Sequence, residues 1–283
     1  MPDLRFLLKV SRPRFWIYIF GPYLIGLVAA VADKRELLDW RVFAFGLFFT
    51  LPANLLVYGI NDIFDYETDK LNPKKEGYEA LVIPERRRGL IIATAITSLP
   101  FLVIVGTLGI QPIIAFASFL FYSVFYSAPP IRAKTKPFLD SIFNVLYIMP
   151  GIFAFAMITG EQPPNAVFIA GGLWTAAMHA YSAIPDIDAD REAGLSTIAT
   201  VLGSTGTHLF CLAAYIGSAV LAFQYFGTSA IWMGLVYVGI ILFSMISKDK
   251  DSVFRVYRRF PIVNALVGLA IFWYIAIPKF LNW

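Results

Sequence analysis

Charge is scarce in this chain. Only 15% of its 283 residues are Asp, Glu, Lys or Arg, whereas 58% are hydrophobic and the mean hydropathy is +0.69. Because soluble domains carry about a quarter charged residues, the composition excludes an ordinary soluble protein and indicates an integral membrane protein. The net charge of +4 therefore does not predict nucleic-acid binding, and we expect none.

Cysteine is nearly absent. The single residue, Cys211, excludes an intramolecular disulfide and leaves the redox compartment undetermined. The chain also lacks a low-complexity tract or a long linker, and its longest polar segment, 62–88, is short enough to cap a helical bundle. We therefore expect a single domain covering residues 1–283.

Long uncharged runs divide the sequence. They cover 15–32, 42–61, 89–131, 141–160, 162–185, 193–247 and 260–278. A membrane helix needs roughly 20 apolar residues, so the two longest runs must each fold back on themselves. The turns are expected at LGIQP (108–112) and near QYFGTS (224–229), where Gly or Pro can end a helix. The pattern predicts an all-α membrane protein with nine transmembrane helices.

The basic residues fix an orientation for those helices. With a cytoplasmic N-terminus, the inner segments hold 19 of the 23 Lys and Arg residues, as the positive-inside rule requires. A count of eight or ten helices would spoil this alternation. A signal peptide cleaved near Ala30-Val31-Ala32 is the alternative for the N-terminus, although the first span fits the alternation.

The acidic residues gather in two places, each at the predicted cytoplasmic end of a span. Eight of the 19 Asp and Glu residues fall within 62–69 and 186–192. The carboxylates with helical spacing are Asp62, Asp65, Asp69, Asp186 and Asp190. On continuous helices the first three fall within an arc of roughly 60° and the last two within roughly 40°. All five converge if the second and sixth helices are neighbours.

Converging carboxylates indicate a metal site. Left alone they would repel one another, and several would stay protonated at neutral pH. Mg²⁺ prefers oxygen ligands and commonly joins one or two carboxylates to substrate phosphates. Solvated loop ends are the alternative interpretation, which two clusters with helical spacing disfavour. The pattern therefore predicts Mg²⁺ and a phosphorylated substrate.

A basic loop on the same predicted face supports a phosphate ligand. YSAPPIRAKTKP (126–137) contains Arg132, Lys134 and Lys136 after a Pro-Pro pair that favours a fixed turn. Arg can bind two phosphate oxygens at once. The positive-inside rule alone would also explain these charges.

Both acidic clusters resemble known motifs. NDIFDYETD (61–69) resembles the first motif, N-D-x-x-D-x-x-x-D, of the UbiA superfamily of intramembrane prenyltransferases, and DIDADREAG (186–194) resembles the second, D-x-x-x-D. YSAPPIRAK resembles the loop that carries diphosphate-binding cations, but the Y-x-x-x-K of some members is not kept, because Pro130 stands four residues after Tyr126. The resemblance covers essentially the whole chain and implies a bundle of UbiA type, with nine helices and both motifs under cytoplasmic cap loops.

Three longer segments resemble the lycopene elongases of C50 carotenoid biosynthesis. They are SRPRFWIYIFGP (11–22), VYGINDIFDYETDKLNPKKEG (57–77) and DADREAGLSTIATVLG (188–203). This resemblance implies dimethylallyl diphosphate as the allylic donor and lycopene, entering from the membrane lipid, as the acceptor. Quinone-type relatives instead join a longer polyprenyl diphosphate to an aromatic precursor, and this alternative stays open.

The resemblance also implies roles for individual residues. Mg²⁺ would be held by the five aspartates named above. The candidates for binding the diphosphate are Asn61, Lys70, Tyr126, Arg132, Lys134 and Arg191. The candidates for contacting the organic substrates are Asn54, Tyr58 and Tyr181. His179 lies seven residues before Asp186 and could accept the proton released after the new C–C bond forms; a hydrogen-bonded core histidine is the alternative.

Two other classes of protein fit the sequence less well. A secondary transporter would carry its acids nearer the bilayer midplane, whereas the predicted spans here are almost free of acids. An aspartyl protease needs two carboxylates and no basic loop. The distribution of charge favours a multi-pass membrane enzyme with its active site facing the cytoplasm. We expect the membrane to be the plasma membrane of a prokaryote, and an organelle membrane is the alternative.

Overall fold

The structure is a computed structural model and describes residues 2–70, 79–247 and 250–283. Every regular element in these ranges is helical and none is a strand, so the all-α prediction is confirmed. The predicted cap loop falls partly on residues 71–78, which lie outside the described residues. The chain forms two compact units.

Unit 1 comprises Met1–Ile131, Met149–Gln162 and Ala270–Trp283, and unit 2 comprises Arg132–Ile148 and Pro163–Leu269. The first eight helices belong to unit 1: α1 (Leu4–Ser11), α2 (Ile17–Ala30), α3 (Trp40–Phe48), α4 (Leu51–Asn54), α5 (Ile60–Phe64), α6 (Tyr66–Asp69), α7 (Pro84–Val105) and α8 (Ile110–Ser127). The others are α9 (Leu139–Ile142), α10 (Met149–Thr159), α11 (Asn165–Ala183), α12 (Ile187–Glu192), α13 (Ile198–Phe226), α14 (Thr228–Ile246) and α15 (Lys250–Leu281). Helix α10 is part of unit 1, and Leu55–Gly59 is π-helical.

In the described ranges, six helical segments are long and apolar enough to cross a membrane, or up to eight if each of two bent helix pairs is one span. The bent pairs are Leu4–Phe15 with Ile17–Ala30, and Leu139–Tyr147 with Met149–Thr159. The remaining predicted span corresponds to α11, which is 19 residues long but less apolar because it includes Asn165, Thr175 and His179. The count of nine spans is therefore not confirmed, and the cytoplasmic N-terminus stays a prediction.

The two turns predicted inside the longest uncharged runs are confirmed. Helix α7 ends at Val105 and α8 begins at Ile110. Helix α13 ends at Phe226, and Gly227 adopts a φ of 51° before α14 begins. Glycine is favoured there because it carries no Cβ to clash in the left-handed region.

A cluster of phenylalanine rings forms much of the core of unit 1. Its members are almost completely buried: Phe45, Phe48, Phe49, Phe116, Phe119 and Phe153. Their ring centroids lie 4.5–6.5 Å apart, mostly tilted or edge to face, which is the arrangement that aromatic quadrupoles favour. These contacts join α3, α8 and α10, and Phe48 also packs against Phe101 of α7.

Helices α2 and α10 approach closely at a pair of glycines. A Cβ added to Gly26 would lie 2.0 Å from the backbone oxygen of Gly151, whereas one added to Gly21 on the same helix meets only Ile17 at 3.6 Å. We expect Gly26→Ala to force the backbones apart and lower the free energy of unfolding by about 2 kcal/mol or more. The thermal midpoint of the purified protein in detergent should fall clearly below the wild-type value.

Gly21→Ala is the matched control for this prediction. It adds the same methyl group to α2 at ordinary contact distance and replaces glycine with a better helix former, so the midpoint should stay equal or rise. Equal midpoints for the two variants would contradict the close packing of α2 on α10.

Candidate active site

The first acidic motif does not lie on one continuous helix. Helix α5 ends at Phe64, Asp65 leaves the helical region with φ −104° and ψ 6°, and α6 starts again at Tyr66. The prediction that a single helical arc carries Asp62, Asp65 and Asp69 is therefore wrong in its geometry. Asp62 is buried at 1% exposure, whereas Asp65 and Asp69 are half-buried at the end of the span.

Asp62 belongs to a buried cluster of charges within unit 1. Nη2 of Arg12 donates to Oδ1 of Asp62 at 2.8 Å and lies 3.2 Å from Oε2 of Glu79. The side chains are 14%, 1% and 8% exposed respectively. Two carboxylates thus share one buried guanidinium, and Arg14 reaches the other oxygen of Glu79 at 2.9 Å from a more exposed position.

The backbone at Arg12 directs this contact. Helix α1 ends at Ser11, and Arg12 adopts a left-handed conformation with φ 51° and ψ 68° while its N–H bonds to the oxygen of Lys9. Its guanidinium also stacks 4.8 Å from the ring centroid of Tyr58. Tyr58, predicted to contact the organic substrate, therefore contributes a cation–π contact at the motif.

Arg12 and Glu79 are functional candidates that the sequence analysis missed. Arg12 lies 50 residues from Asp62 in the chain, and Glu79 follows the acidic motif without matching its spacing. In the sequence, Arg12 is distinguished only by lying in segment 11–22, which resembles the lycopene elongases. No local sequence pattern predicts an ion pair between residues so far apart in the chain.

The two asparagines of this span are both fixed by hydrogen bonds. Oδ1 of Asn61 accepts from the hydroxyl of Ser127 at 2.7 Å, which ties the motif to the end of α8. Nδ2 of Asn54 donates to the backbone oxygen of Thr50 at 2.6 Å. Nearby, Tyr126 is half-buried and Lys70 is exposed.

The second acidic motif also follows a helix break. Helix α11 ends at Ala183, and Asp186 immediately precedes the separate helix α12. The N–H of Asp190 donates to the backbone oxygen of Asp186 at 2.8 Å, so the predicted i, i+4 spacing of this pair is kept. His179 lies on α11, which does not continue through Pro185, so its separation of seven residues from Asp186 does not place the two side chains on one helical face.

Asp190 shows the electrostatic character of this second motif. Burial, followed by repulsion from Asp186, raises the pKa of the Asp190 carboxyl, and a hydrogen bond with Thr197 opposes the shift. Arg191, a predicted diphosphate ligand, is exposed and donates to the backbone oxygen of Thr200 at 3.0 Å. Two carboxylates that repel each other favour a bound cation.

A buried aspartate lies beside His179 in unit 2. Asp140 is completely buried and accepts hydrogen bonds from the N–H groups of Ile198 and Ser141, each at 2.8 Å. Its Oδ2 is 4.0 Å from Nε2 of His179. Asp140 therefore holds the start of α13 and places negative charge near the imidazole.

Tyr181 and the basic loop occupy different surroundings. Tyr181 is fully buried, and its hydroxyl donates to Ser244 at 3.1 Å. These are the contacts of a packing residue, and its role toward substrate stays a prediction. Arg132 is exposed in a left-handed conformation with φ 48°, just before the 3₁₀ turn Ala133–Thr135, which contains Lys134.

The donor chemistry fits a hard divalent cation. Among the described residues, no group of three or more His, Cys, Asp or Glu side chains is arranged to hold a metal ion. The guanidinium of Arg12 nevertheless binds Asp62 as a cation would, and the available donors are carboxylate oxygens, which Mg²⁺ prefers. The convergence of all five aspartates on Mg²⁺ stays a prediction.

Fold and site together define an α-helical, multi-pass integral membrane protein with two acidic motifs. Residues 19–260 match the model of the UbiA prenyltransferase family, and the chain belongs to that family. The chain is therefore a prenyltransferase, and the transporter and the aspartyl protease that were the alternatives are excluded.

Relatives of known name match nearly the whole chain. The lycopene elongase/hydratase of Haloferax volcanii is 38% identical over 95% of this chain and 87% of its own length. That of Haloarcula japonica is 40% identical over 94% and 89%. A UbiA homologue from Archaeoglobus fulgidus, solved bound to DMAPP and Mg²⁺, is 19% identical, superposes with a TM-score of 0.71, and covers 96% of this chain and 99% of its own. The structural likeness confirms the fold, and the chain is similar to lycopene elongases.

Proposed function

We propose that this chain is a Mg²⁺-dependent prenyltransferase that moves a dimethylallyl group from its diphosphate to lycopene. The assignment of lycopene as the acceptor rests on one observation: lycopene elongase/hydratases match 94–95% of the chain at 38–40% identity. The structural relative bound to DMAPP and Mg²⁺ supports the donor and the metal.

We assign a separate role to each group of residues. The aspartates of both motifs would hold Mg²⁺, which neutralises charge on the diphosphate when bound. Asn61, fixed by Ser127 at 2.7 Å, orients polar groups at the first motif. Cationic side chains stabilise the negative charge that develops as the C–O bond breaks. Those we assign to this role are Lys70, Arg132, Lys134 and Arg191, and Tyr126 is a further candidate for binding the diphosphate.

His179 is our candidate for accepting the proton released when the product forms an alkene. The carboxylate of Asp140, 4.0 Å from Nε2, supplies negative charge that would balance an imidazolium. The positive-inside distribution supports a reaction on the cytoplasmic side of the membrane, which we take to be the plasma membrane of a prokaryote.

The first test is the mass of the pigments made by cells that accumulate lycopene. Expression of the chain should yield products heavier than lycopene by one or two C5 units. Unchanged lycopene, with folded protein present in the membrane, would overturn the carotenoid assignment. The same membranes would then receive 4-hydroxybenzoate or homogentisate with a longer polyprenyl diphosphate, which tests the aromatic alternative.

A further inference from the structure

Four buried polar atoms on neighbouring helices of unit 1 have no hydrogen-bond partner within the described structure. They are Oδ1 of Asn54, Oγ1 of Thr94, Oγ of Ser98 and Oγ of Ser123. Their residues are 0%, 7%, 6% and 2% exposed respectively. Each buried polar group left without a partner costs about 1–3 kcal/mol, and proteins commonly satisfy such groups with internal water.

The packing register places α7 beside Asn54 at the level of its two hydroxyls. Phe48 packs against Phe101 with ring centroids 5.1 Å apart, and a Cβ on Gly59 would lie 3.6 Å from Leu90. Eleven residues forward on one segment thus correspond to eleven residues back on the other, as in antiparallel packing. Asn54 then falls level with residue 95, between Thr94 and Ser98, which share one face of α7 at i, i+4.

Helix α8 brings the third hydroxyl to the same level. Phe48 contacts Phe116 and Phe119 at 5.0 and 6.2 Å between ring centroids, and Asn61 accepts from Ser127. Asn54 lies about midway between Phe48 and Asn61, so its level on α8 is close to residue 122. Ser123 is therefore the buried polar side chain on α8 nearest to this level.

The amide of Asn54 is oriented for an additional ligand. Its Nδ2 is committed to the backbone oxygen of Thr50, which leaves Oδ1 as an acceptor. The π-helical segment Leu55–Gly59 begins immediately after it, and such segments are frequent at functional sites. Asn54 lies two turns below Asn61, roughly 10 Å along the helix.

We propose that Asn54, Thr94, Ser98 and Ser123 hold an internal water molecule, and that this water is the nucleophile in a hydration branch of prenyl transfer. The role of this water as a nucleophile rests on the proposed function. The amide oxygen of Asn54 accepts a hydrogen bond from the water, and each hydroxyl can donate a hydrogen bond to the water or accept one from it. The word hydratase in the names of the two haloarchaeal relatives is consistent with such a branch.

The chemistry of this branch balances with water as the only added reactant. The allylic carbon bonds to one carbon of an acceptor C=C bond as its C–O bond to diphosphate breaks, which leaves a tertiary cation on the neighbouring carbon. The water oxygen forms a C–O bond to that cation and releases one proton through a further water to solvent, giving a tertiary alcohol. Loss of a proton from carbon instead gives an alkene.

The test is the hydrated share of the elongated products made by a Thr94→Val, Ser98→Ala, Ser123→Ala triple variant. Wild-type membranes in H₂¹⁸O should give elongated product carrying ¹⁸O, and the triple variant should lower the hydrated share about tenfold, or ~1.4 kcal/mol. The share is independent of total turnover. Thr97→Val is the matched control, because its hydroxyl donates to the backbone oxygen of Ala93 on the same helix, and it should leave the share unchanged.

The outcomes separate this proposal from the proposed function. Elongated products whose hydrated share is the same in the triple variant would overturn the nucleophile. Elongated products without any hydroxyl in the wild type would overturn it too, while leaving prenyl transfer intact. If lycopene is not elongated at all, the water site is judged by an experimental structure, where an ordered water about 3 Å from Oδ1 of Asn54 supports the site and a dry site refutes it.

Discussion

Replacing Asp62 and Asp186 together by asparagine is expected to lower prenyl transfer at least about a thousandfold. Asparagine keeps the shape of each side chain but removes its charge, so the Mg²⁺ that we place at these motifs loses two anionic ligands. Stabilising a departing diphosphate by metal and cations contributes several kcal/mol, and about 4 kcal/mol corresponds to a factor of a thousand. The measurement is Mg²⁺-dependent release of pyrophosphate from dimethylallyl diphosphate in membranes supplied with lycopene.

Asp188→Asn is the matched control for this double variant. Asp188 belongs to the same acidic cluster and is exposed on α12, but it lies outside the spacing of the motif, so turnover should stay close to wild type. Asp62 also pairs with buried Arg12, and the double variant must therefore be checked for a monodisperse, folded species. The Asp186→Asn single variant avoids that difficulty, because Asp186 is exposed. Retention of more than a tenth of wild-type turnover in the folded double variant would refute the metal assignment.

The helical spans could be predicted from the sequence because their signals are local. Runs without charge set the position of each helix, and the Gly and Pro residues at LGIQP and at Gly227 mark the reversals that the structure shows. The segment that falls short is α11, whose small and polar residues lower its hydropathy. Its length matches a span, but its composition alone does not identify it as one.

The geometry of the acidic motifs could be predicted only in part. Helical spacing assumes an unbroken helix, and both motifs sit at breaks, after Phe64 and after Ala183. The second break had a signal, since Pro185 disfavours a helical conformation for the residue before it. The only signal for the first break was the preference of Asp for helix ends. Because each motif lies at a helix break, the angles between its carboxylates differ from those expected on a continuous helix.

The partners of Asp62 could not be predicted at all. Arg12 and Glu79 are brought to it by the left-handed turn after α1 and by packing between segments far apart in the chain. A sequence shows where charges are, but pairing depends on the tertiary contacts that bury them. The buried ion cluster is therefore the main addition that the structure makes to the candidate site.

Arg12→Gln is expected to destabilise the metal-free protein and to lower its Mg²⁺ requirement. Removing the guanidinium leaves Asp62 and Glu79, 1% and 8% exposed, without their shared counter-charge, and breaking a buried pair in this way costs about 3–5 kcal/mol. If Mg²⁺ binds Asp62 as we propose, it competes with Arg12 for this carboxylate in the wild type. In the variant that competition is gone, so the Mg²⁺ concentration that gives half of the thermal stabilisation should fall about tenfold, or ~1.4 kcal/mol.

Arg14→Gln is the control for this prediction, because it removes the same group two residues along the chain. Arg14 binds Glu79 at 2.9 Å but is 48% exposed, and an exposed pair contributes at most about 1 kcal/mol. Its thermal midpoint and its Mg²⁺ dependence should therefore stay near wild type. If both variants lost the same stability, the buried pairs of Arg12 would contribute no more to folding than the exposed pair of Arg14. If Arg12→Gln lost stability and its Mg²⁺ requirement stayed unchanged, Arg12 would be a structural residue, and cation binding at Asp62 would not involve its displacement.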